Sequence, residues 1–400
     1  MPKILQVNTV AVRGSTGRIS EEIGLAIQKQ GWESYIAYGK RNPTSKNKLI
    51  KIQSKFDFLF HVLLSRLFGL HGYYSKKKTQ KFIEKIKDIN PDIIHLHNVH
   101  GYYLHIPIFF EFLANYGKPV IWTLHDCWAI TGHCTHFEYI NCNRWQTGCY
   151  KCPLRKEYPS SLFFDRSKQN YKLKQNLFNA IPNLHIVSVS TWLENLVTKS
   201  FIQNAKVGVI NNGIDLKIFK LRNKKSANNN FQILGVASVW TKTKGLEDFI
   251  KLRNLLDSKY EITIIGLSHN QVKLLPKGIN GIERTDTIEE LVDYYSNADV
   301  FVNTTYADTF PTVNLEALAC GTPVITYKTG GSPETVSDRT GIVVEQGNVE
   351  AIASKIRELK DKKILFYRTD CIERVAEKYE KNSCYNKYIE LYESYLKCKK

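Results

Sequence analysis

The sequence predicts two α/β domains, each built on a doubly wound parallel sheet. Three observations carry this. The chain has 400 residues, 43% of them hydrophobic, whereas a single core stops growing near roughly 250–300 residues. Short apolar strand patterns alternate with helical patterns through both halves. The chain also opens as strand, glycine-containing turn and helix, the usual start of such a domain.

Residues 3–8, KILQVN, read as a buried first strand. Gly14, Ser15, Thr16 and Gly17 form the turn, and a helical pattern follows from Ile19 to Gln30. A second strand is expected at 31–39. Residues 40–87 then hold 13 Lys/Arg against Asp57 and Glu84 alone, within a net charge of +18. Inside this stretch lies FDFLFHVLLSRLFGLHGYY, residues 56–74, interrupted by Asp57 and Arg66 and too short to span a bilayer. Flanked by Lys55 and Lys76–Lys78, it can lie on an anionic surface or be a buried helix with a solvated basic edge. No nucleic-acid recognition module accompanies the charge. The N-terminus, MPKILQVNTV, enters a strand pattern without a signal-peptide n-region. The expected place is therefore the cytoplasm, free or peripheral on the inner face of the membrane.

A helix is expected from Lys76 to Ile89, then the strand DIIHLHN, ending in His95, His97, Asn98 and His100. Histidines alternating in a strand buried on both faces favour packed, hydrogen-bonded side chains over metal ligands. His100 falls at the C-terminal edge of the sheet, where ligands of such folds bind. The strand VIWTLHD, 120–126, delivers His125 and Asp126 to the same edge. Five of the nine cysteines follow between positions 127 and 152. Cys149 and Cys152 form a C-x-x-C pair that Cys134 and Cys142 could complete as tetrahedral Zn²⁺ ligands; four free thiols in an insertion are the alternative. A polar helix at 160–180, a strand at 184–190 and a helix capped by Ser190 close this half.

In the second half, KVGVINNGIDLKIF (206–219) and the Lys/Asn-rich stretch LRNKKSANNN precede renewed alternation from FQILGVAS onward. The most informative stretch runs from Asp308 to Glu334. Its turn contains Pro311 and leads into the helical run LEALA, with Glu316 at its start and Gly321 and Pro323 as stops. The N–H groups of Phe310, Thr312 and Val313 there form an anion site. Two carboxylates flanking such a site suit a ligand that combines phosphate with hydroxyl groups.

This stretch, with Glu316-Ala317-Leu318-Ala319-Cys320-Gly321-Thr322-Pro323-Val324 and Gly330-Gly331, resembles the donor-site motif of GT-B glycosyltransferases of family 4, retaining enzymes that include the bacterial surface-polysaccharide type. The resemblance implies two Rossmann-like domains facing a cleft: an acceptor-side domain at 1–205 with the Cys-rich insertion 127–152, a nucleotide-sugar donor domain at 206–380, and a C-terminal helix at 381–400 crossing back. It implies transfer of a sugar from a nucleoside diphosphate sugar to a hydroxyl of a glycan, lipid-linked or surface polysaccharide. No cofactor is implied for catalysis. Glu316 would hold the ribose hydroxyls, and Asp308 with the Phe310–Val313 amides the sugar. Lys244 and Lys242 would hold the diphosphate, the family's arginine being replaced by Val239. Gly14–Gly17 would approach the diphosphate or acceptor. His125 would hydrogen-bond the transferred sugar, with His100 and Asp126 lining the acceptor side. A catalytically weak nucleotide-sugar or glycan-binding subunit is the alternative.

Overall fold

The structure, a computed structural model, describes residues 1–40, 44–222 and 230–397. Most of the Lys/Asn-rich stretch (223–229) and the last three residues of the expected C-terminal helix lie outside the described residues. The chain forms two compact units, Met1–Asn211 with Tyr385 onward, and Asn212–Cys384.

The first unit runs β1 (Lys3–Val10), α1 (Gly14–Lys29), β2 (Glu33–Lys40), β3 (Lys48–Lys51), α2 (Lys55–Phe68), α3 (Lys76–Ile89), β4 (Ile93–Leu96), α4 (Ile106–Ala114), β5 (Val120–Leu124), α5 (Ser167–Asn179), β6 (Leu184–Ser188), α6 (Thr191–Thr198) and β7 (Lys206–Val209). All seven strands are parallel, in the order β3-β2-β1-β4-β5-β6-β7. Their middles are apolar on both faces, as helix-covered parallel strands must be; Ile4, Leu5, Val7, Ile93, Ile94, Val120 and Ile121 are fully buried. At about 1.5–3 kcal/mol per buried aliphatic or aromatic side chain, this is the main source of the unit's stability.

Four expectations are corrected. The first helix begins at Gly14, so the GSTG segment is its first turn, not a preceding loop. Residues 48–51 form the edge strand β3, where the sequence reads only as basic; Lys48 and Lys51 are the exposed charges that blunt a sheet edge. The polar helix starts at Ser167, because a cis Tyr158–Pro159 turn and the loop after it occupy residues 158–166. The boundary expected after residue 205 falls after Asn211, because Lys206–Val209 pairs with β6 as a seventh strand.

The second unit contains β8 (Phe231–Val236), α7 (Leu246–Leu255), β9 (Tyr260–Ile265), α8 (His269–Leu274), β10 (Ile279–Ile282), α9 (Ile288–Asn297), β11 (Val300–Asn303), α10 (Thr312–Ala319), β12 (Val324–Tyr327), α11 (Ser332–Thr335), β13 (Gly341–Val344), α12 (Val349–Lys360) and α13 (Arg368–Lys378). Its six parallel strands are ordered β10-β9-β8-β11-β12-β13. Phe249, Leu252, Ile264, Ile325, Tyr327 and Ile352 lie at the centre of its core.

The last helix, α14 (Lys381–Lys397), starts in the second unit and from Tyr385 belongs to the first. Its buried side chains recur at helical spacing: Tyr385, Tyr388, Ile389 and Tyr392. Two of them end a buried polar chain. Tyr392 OH lies 2.6 Å from His95 Nδ1, His95 Nε2 lies 2.8 Å from Thr123 Oγ1, and Thr123 Oγ1 lies 3.0 Å from Tyr388 OH. Removing one hydroxyl strands a buried ring nitrogen, at a cost of about 1–3 kcal/mol. Tyr392→Phe should therefore lower unfolding free energy by roughly that amount in urea titration; a change below about 0.5 kcal/mol would show that the hydrogen bond does not hold the helix.

Candidate active site

In both sheets the chain reverses its winding direction beside the first strand, between β1 and β4 and between β8 and β11. Loops leaving the C-terminal ends of such neighbouring strands diverge and open a crevice there. The candidate residues sit on these loops.

In the first unit, β1 delivers the segment Ala11–Gly17. Val12 has φ 65° and Gly14 φ 71°, and a β-branched residue in the left-handed region is strained. The turn is held by Val12 N–H donating to Gly17 O (3.0 Å) and Asn8 Nδ2 to Thr16 O (3.0 Å). Gly17 is packed too closely for a side chain: an added Cβ would meet Val10 Cγ2 and the Ala11 carbonyl carbon at 3.2 and 3.3 Å. The first amides of a 16-residue helix, those of Gly14, Ser15 and Thr16, therefore open at the sheet edge.

The neighbouring strands β4 and β5 bring His97 and His125 together. Gln6 Nε2 donates to Ser20 O (2.9 Å), so Gln6 Oε1 accepts from His97 Nε2 (3.0 Å). His97 Nδ1 then accepts from His125 Nε2 (3.1 Å), leaving Nδ1 of His125 as that ring's acceptor. Burial pushes the His125 pKa down to about 4 and that of His95 to about 3. His95 in β4 and His97 just beyond it are thus packed and hydrogen-bonded. His100 and Asp126 also meet: His100 Nε2 lies 2.8 Å from Asp126 Oδ2, and Trp128 N–H donates to Asp126 Oδ1 (2.9 Å). Burial raises the Asp126 pKa, but the charge and hydrogen bond of His100 outweigh it and hold it down to about 2.

The cysteine segment follows. Cys134, Cys142, Cys149 and Cys152 line one small cavity with Trp145 and Thr131. Cys134 shares a hydrogen bond with Cys152, and Cys149 Sγ accepts from Gly132 N–H (3.1 Å). Among the described residues, no three His, Cys, Asp or Glu side chains already stand in metal-ligating geometry. Beside the cavity is a residue that sequence reasoning missed. Lys174, on the helix read as polar, is buried and donates to Trp128 O (2.7 Å) and Thr131 O (2.9 Å), with its ammonium 3.4 Å from the Trp128 ring. Burial pushes its pKa down to about 7.

In the second unit, the loop after β8 carries Lys242 and Lys244, and the loop after the adjacent β11 carries Asp308. They are tied together: Tyr306 N–H donates to Thr243 O (2.7 Å), and Thr304 Oγ1 to Lys244 O and Gly245 O (3.0 Å each). Lys244 Nζ lies 2.7 Å from Asp308 Oδ2. Lys242 is exposed, as is Val239 (63%). Helix α10 begins at Thr312, one turn earlier than expected, because Pro311 takes the cap position with a fixed φ of −72°. Glu316 thus lies inside the helix and is buried, with Oε2 accepting from Tyr295 OH (2.8 Å). The Phe310 amide already donates to Asp308 Oδ1 (3.1 Å), so it is spent within the turn, and the amides of Thr312 and Val313 are the ones that open the helix.

The glycine pair is explained by close approach. Gly330 has φ 52°, and a Cβ there would lie 1.8 Å from Asp308 O, while Gly331 N–H donates to that same oxygen (3.2 Å). Tyr295, Asn303 and Asn314 complete the support: Asn303 Nδ2 donates to Asn314 Oδ1 (2.8 Å) and Asn314 Nδ2 to Thr335 Oγ1 (2.9 Å). Sequence gives no period or motif for Tyr295 and Asn303, and Asn314, though inside the stretch from Asp308 to Glu334, has no signal of its own; burial identifies all three.

Two doubly wound parallel-sheet domains with charged loops at both switch points are the architecture of GT-B glycosyltransferases, and solved structures agree. Sucrose-phosphate synthase from Thermosynechococcus elongatus superposes with a TM-score of 0.73 at 17% identity over 100% of both chains. Anabaena HepE in complex with UDP-glucose does so at 0.67 and 16% identity, covering 98% of this chain and 99% of that one. The chain belongs to Glycosyltransferase Family 4, whose model matches residues 16–218, while the model described as glycosyl transferases group 1 matches residues 230–362. It is a glycosyltransferase. Among curated relatives, the putative colanic acid biosynthesis glycosyl transferase WcaC of Escherichia coli K12 is 26% identical over 369 residues, 86% of this chain and 88% of the relative. The capsular polysaccharide biosynthesis glycosyltransferase CapM of Staphylococcus aureus is 28% identical over 202 residues, 44% and 51% of the two chains.

The depressed histidines make stability depend on pH. His95 and His125 bind a proton readily when unfolded, near pH 6.5, but not in the fold until about pH 3 and 4. Below pH 6.5 the unfolded state therefore takes up more protons, and stability falls with pH by up to about 1.4 kcal/mol per unit for each ring. Urea titrations at pH 7, 6, 5 and 4.5 should show this decline; a flat profile would contradict neutral buried histidines.

Proposed function

We propose that this glycosyltransferase moves a sugar, with retention of configuration, from a nucleoside diphosphate sugar to a hydroxyl of a glycan in surface-polysaccharide assembly. The observation that carries it is that Lys244 and Asp308, on loops from the neighbouring strands β8 and β11, pair just before the N-terminus of α10, the helix that holds Glu316. HepE complexes with UDP and UDP-glucose, and the names of WcaC and CapM, support the donor and product classes.

In this reading Glu316, braced by Tyr295, takes the ribose hydroxyls. Lys244 and Lys242 take the diphosphate, on which charge grows as the glycosidic bond breaks. Asp308 and the Thr312 and Val313 amides engage the sugar end. Neutral His125, held by His97 and Gln6, hydrogen-bonds a hydroxyl of the transferred sugar. His100 and Asp126 line the acceptor side. The transition state is oxocarbenium-like: the bond from C1 to the leaving phosphate oxygen breaks, the bond from C1 to the acceptor oxygen forms on the same face, and the acceptor's proton passes to the leaving phosphate. The lysines supply the charge that the leaving group needs, so the reading assigns no cofactor to the chemistry.

A thermal-shift screen of nucleoside diphosphates and their sugars tests this. One nucleotide class at about 100 times its Kd should stabilise the second unit by about 2.7 kcal/mol, roughly 5–10 °C in the Tm of that unit. Glu316→Ala should abolish the shift, and Lys244→Ala should lower kcat by about 10²–10³. A folded protein that responds to no nucleotide would refute the donor assignment.

We also infer a structural Zn²⁺ held by Cys134, Cys142, Cys149 and Cys152. Four thiols around one cavity, with an N–H donated to Cys149, support it. Native mass spectrometry of the reduced protein should find one Zn²⁺ per chain, lost in Cys149→Ser with Cys152→Ser; a folded, reduced, metal-free wild type would overturn it.

A further inference from the structure

Helix α2 turns two of its polar side chains inward. His61 and Ser65 are buried, and His61 Nδ1 is bonded to Ser75 Oγ (2.8 Å). The outward face carries Phe56 (85% exposed), Leu59, Phe60 (60%), Leu63 and Phe68. Residues 56, 59, 60 and 63 follow the i, i+3, i+4, i+7 rule, which places them in one stripe. In a helix of a soluble domain that stripe ordinarily faces the core.

A second segment extends the stripe. Leu162 N–H donates to Arg66 O (2.8 Å), and Phe164 O lies 2.9 Å from where a Gly69 Cβ would sit. This anchors the loop 162–164 to the end of α2, with Leu162, Phe163 (64%) and Phe164 exposed. All five exposed phenylalanines among the described residues lie on these two segments. So large an exposed apolar patch marks an interaction site.

The rim fixes the occupant. Lys55, Arg66, Lys76, Lys77 and Lys156 are exposed around the patch. Of the acids nearby, Asp57 pairs with Lys78 (3.2 Å) and caps α2 with Ser54, Asp165 is exposed and accepts from Ser167 N–H and Cys152 N–H, and Glu157 is exposed beside Lys156, so the five exposed cations outnumber the two exposed carboxylates. A second copy would bring the same basic rim against this one, which disfavours self-association. An apolar stripe framed by lysine and arginine matches an anionic bilayer, with apolar side chains among the acyl ends and cations at the headgroups. No helix among the described residues is long and apolar enough to cross a membrane, so the contact is at the surface.

We propose that the outward face of α2 and the loop 162–164 form a docking surface for an anionic membrane. The proposal stands on this patch and not on the donor site. The full-length protein should co-sediment with mixed phosphatidylcholine–phosphatidylglycerol vesicles, whose anionic headgroups set up a negative surface potential, at least tenfold more tightly than with phosphatidylcholine alone. Phe60→Ser with Leu63→Ser should weaken binding at least tenfold, and Lys76→Glu with Lys77→Glu should do so at low salt. Both variants expose no new core, so unchanged melting and unchanged nucleotide binding should accompany the loss. Wild-type protein that ignores anionic vesicles, variants that bind as wild type does, or a wild-type dimer that Phe60→Ser with Leu63→Ser converts to monomer would each overturn the proposal.

Discussion

The constraint on which both units depend is that parallel strands end on one edge, and that the two strands flanking a reversal of winding send their chains apart. Most of the candidate residues of both units are attached to that edge. Val12 to Gly17, His97 to His100, and His125 with Asp126 leave the neighbouring strands β1, β4 and β5. Lys242, Lys244 and Asp308 leave the neighbouring strands β8 and β11. Side chains far apart in sequence meet because the sheet order permits nothing else.

Beneath each edge lies a layer whose work is to hold polar groups in one state. Gln6 fixes His97, and His97 fixes His125. Tyr295 holds Glu316, and Asn303 and Asn314 tie strand to helix. A buried ring or carboxylate without such partners would neutralise or reorient. The tyrosines of α14 extend this layer, so that the last helix of the chain completes a hydrogen-bond chain begun in its fourth strand.

The architecture was legible because its cause is periodic, apolar strands alternating with amphipathic helices, and because the stretch from Asp308 to Glu334 carries glycines that mark close approach. Gly330 is the clear instance, since the space of its missing side chain is filled by the Asp308 carbonyl. Other features have no local signature. Edge strand β3 is short and basic. Thr312 begins its helix because Pro311 caps it, whereas the apolar run that signals a helix lies further on. Lys174 reads as a surface charge on a polar helix and is buried against Trp128, since carbonyls of the cysteine segment accept its hydrogen bonds. For α2, sequence left a buried helix and a surface helix equally open; it showed the apolar stripe but not the direction it faces.

The ion pair between Lys244 and Asp308 gives the loop after β8 a tethered counterion. On a protein carrying a net charge of +18, an unaccompanied lysine at a helix mouth would collect whatever small anion is most abundant. With a carboxylate already in contact with the ammonium, an incoming phosphate has to exchange for it, and a lone phosphate gains little by the exchange. Only a molecule with further groups to place beyond the phosphate recovers the loss, so on the proposed donor reading the pair is a threshold that screens stray anions by size and chemistry.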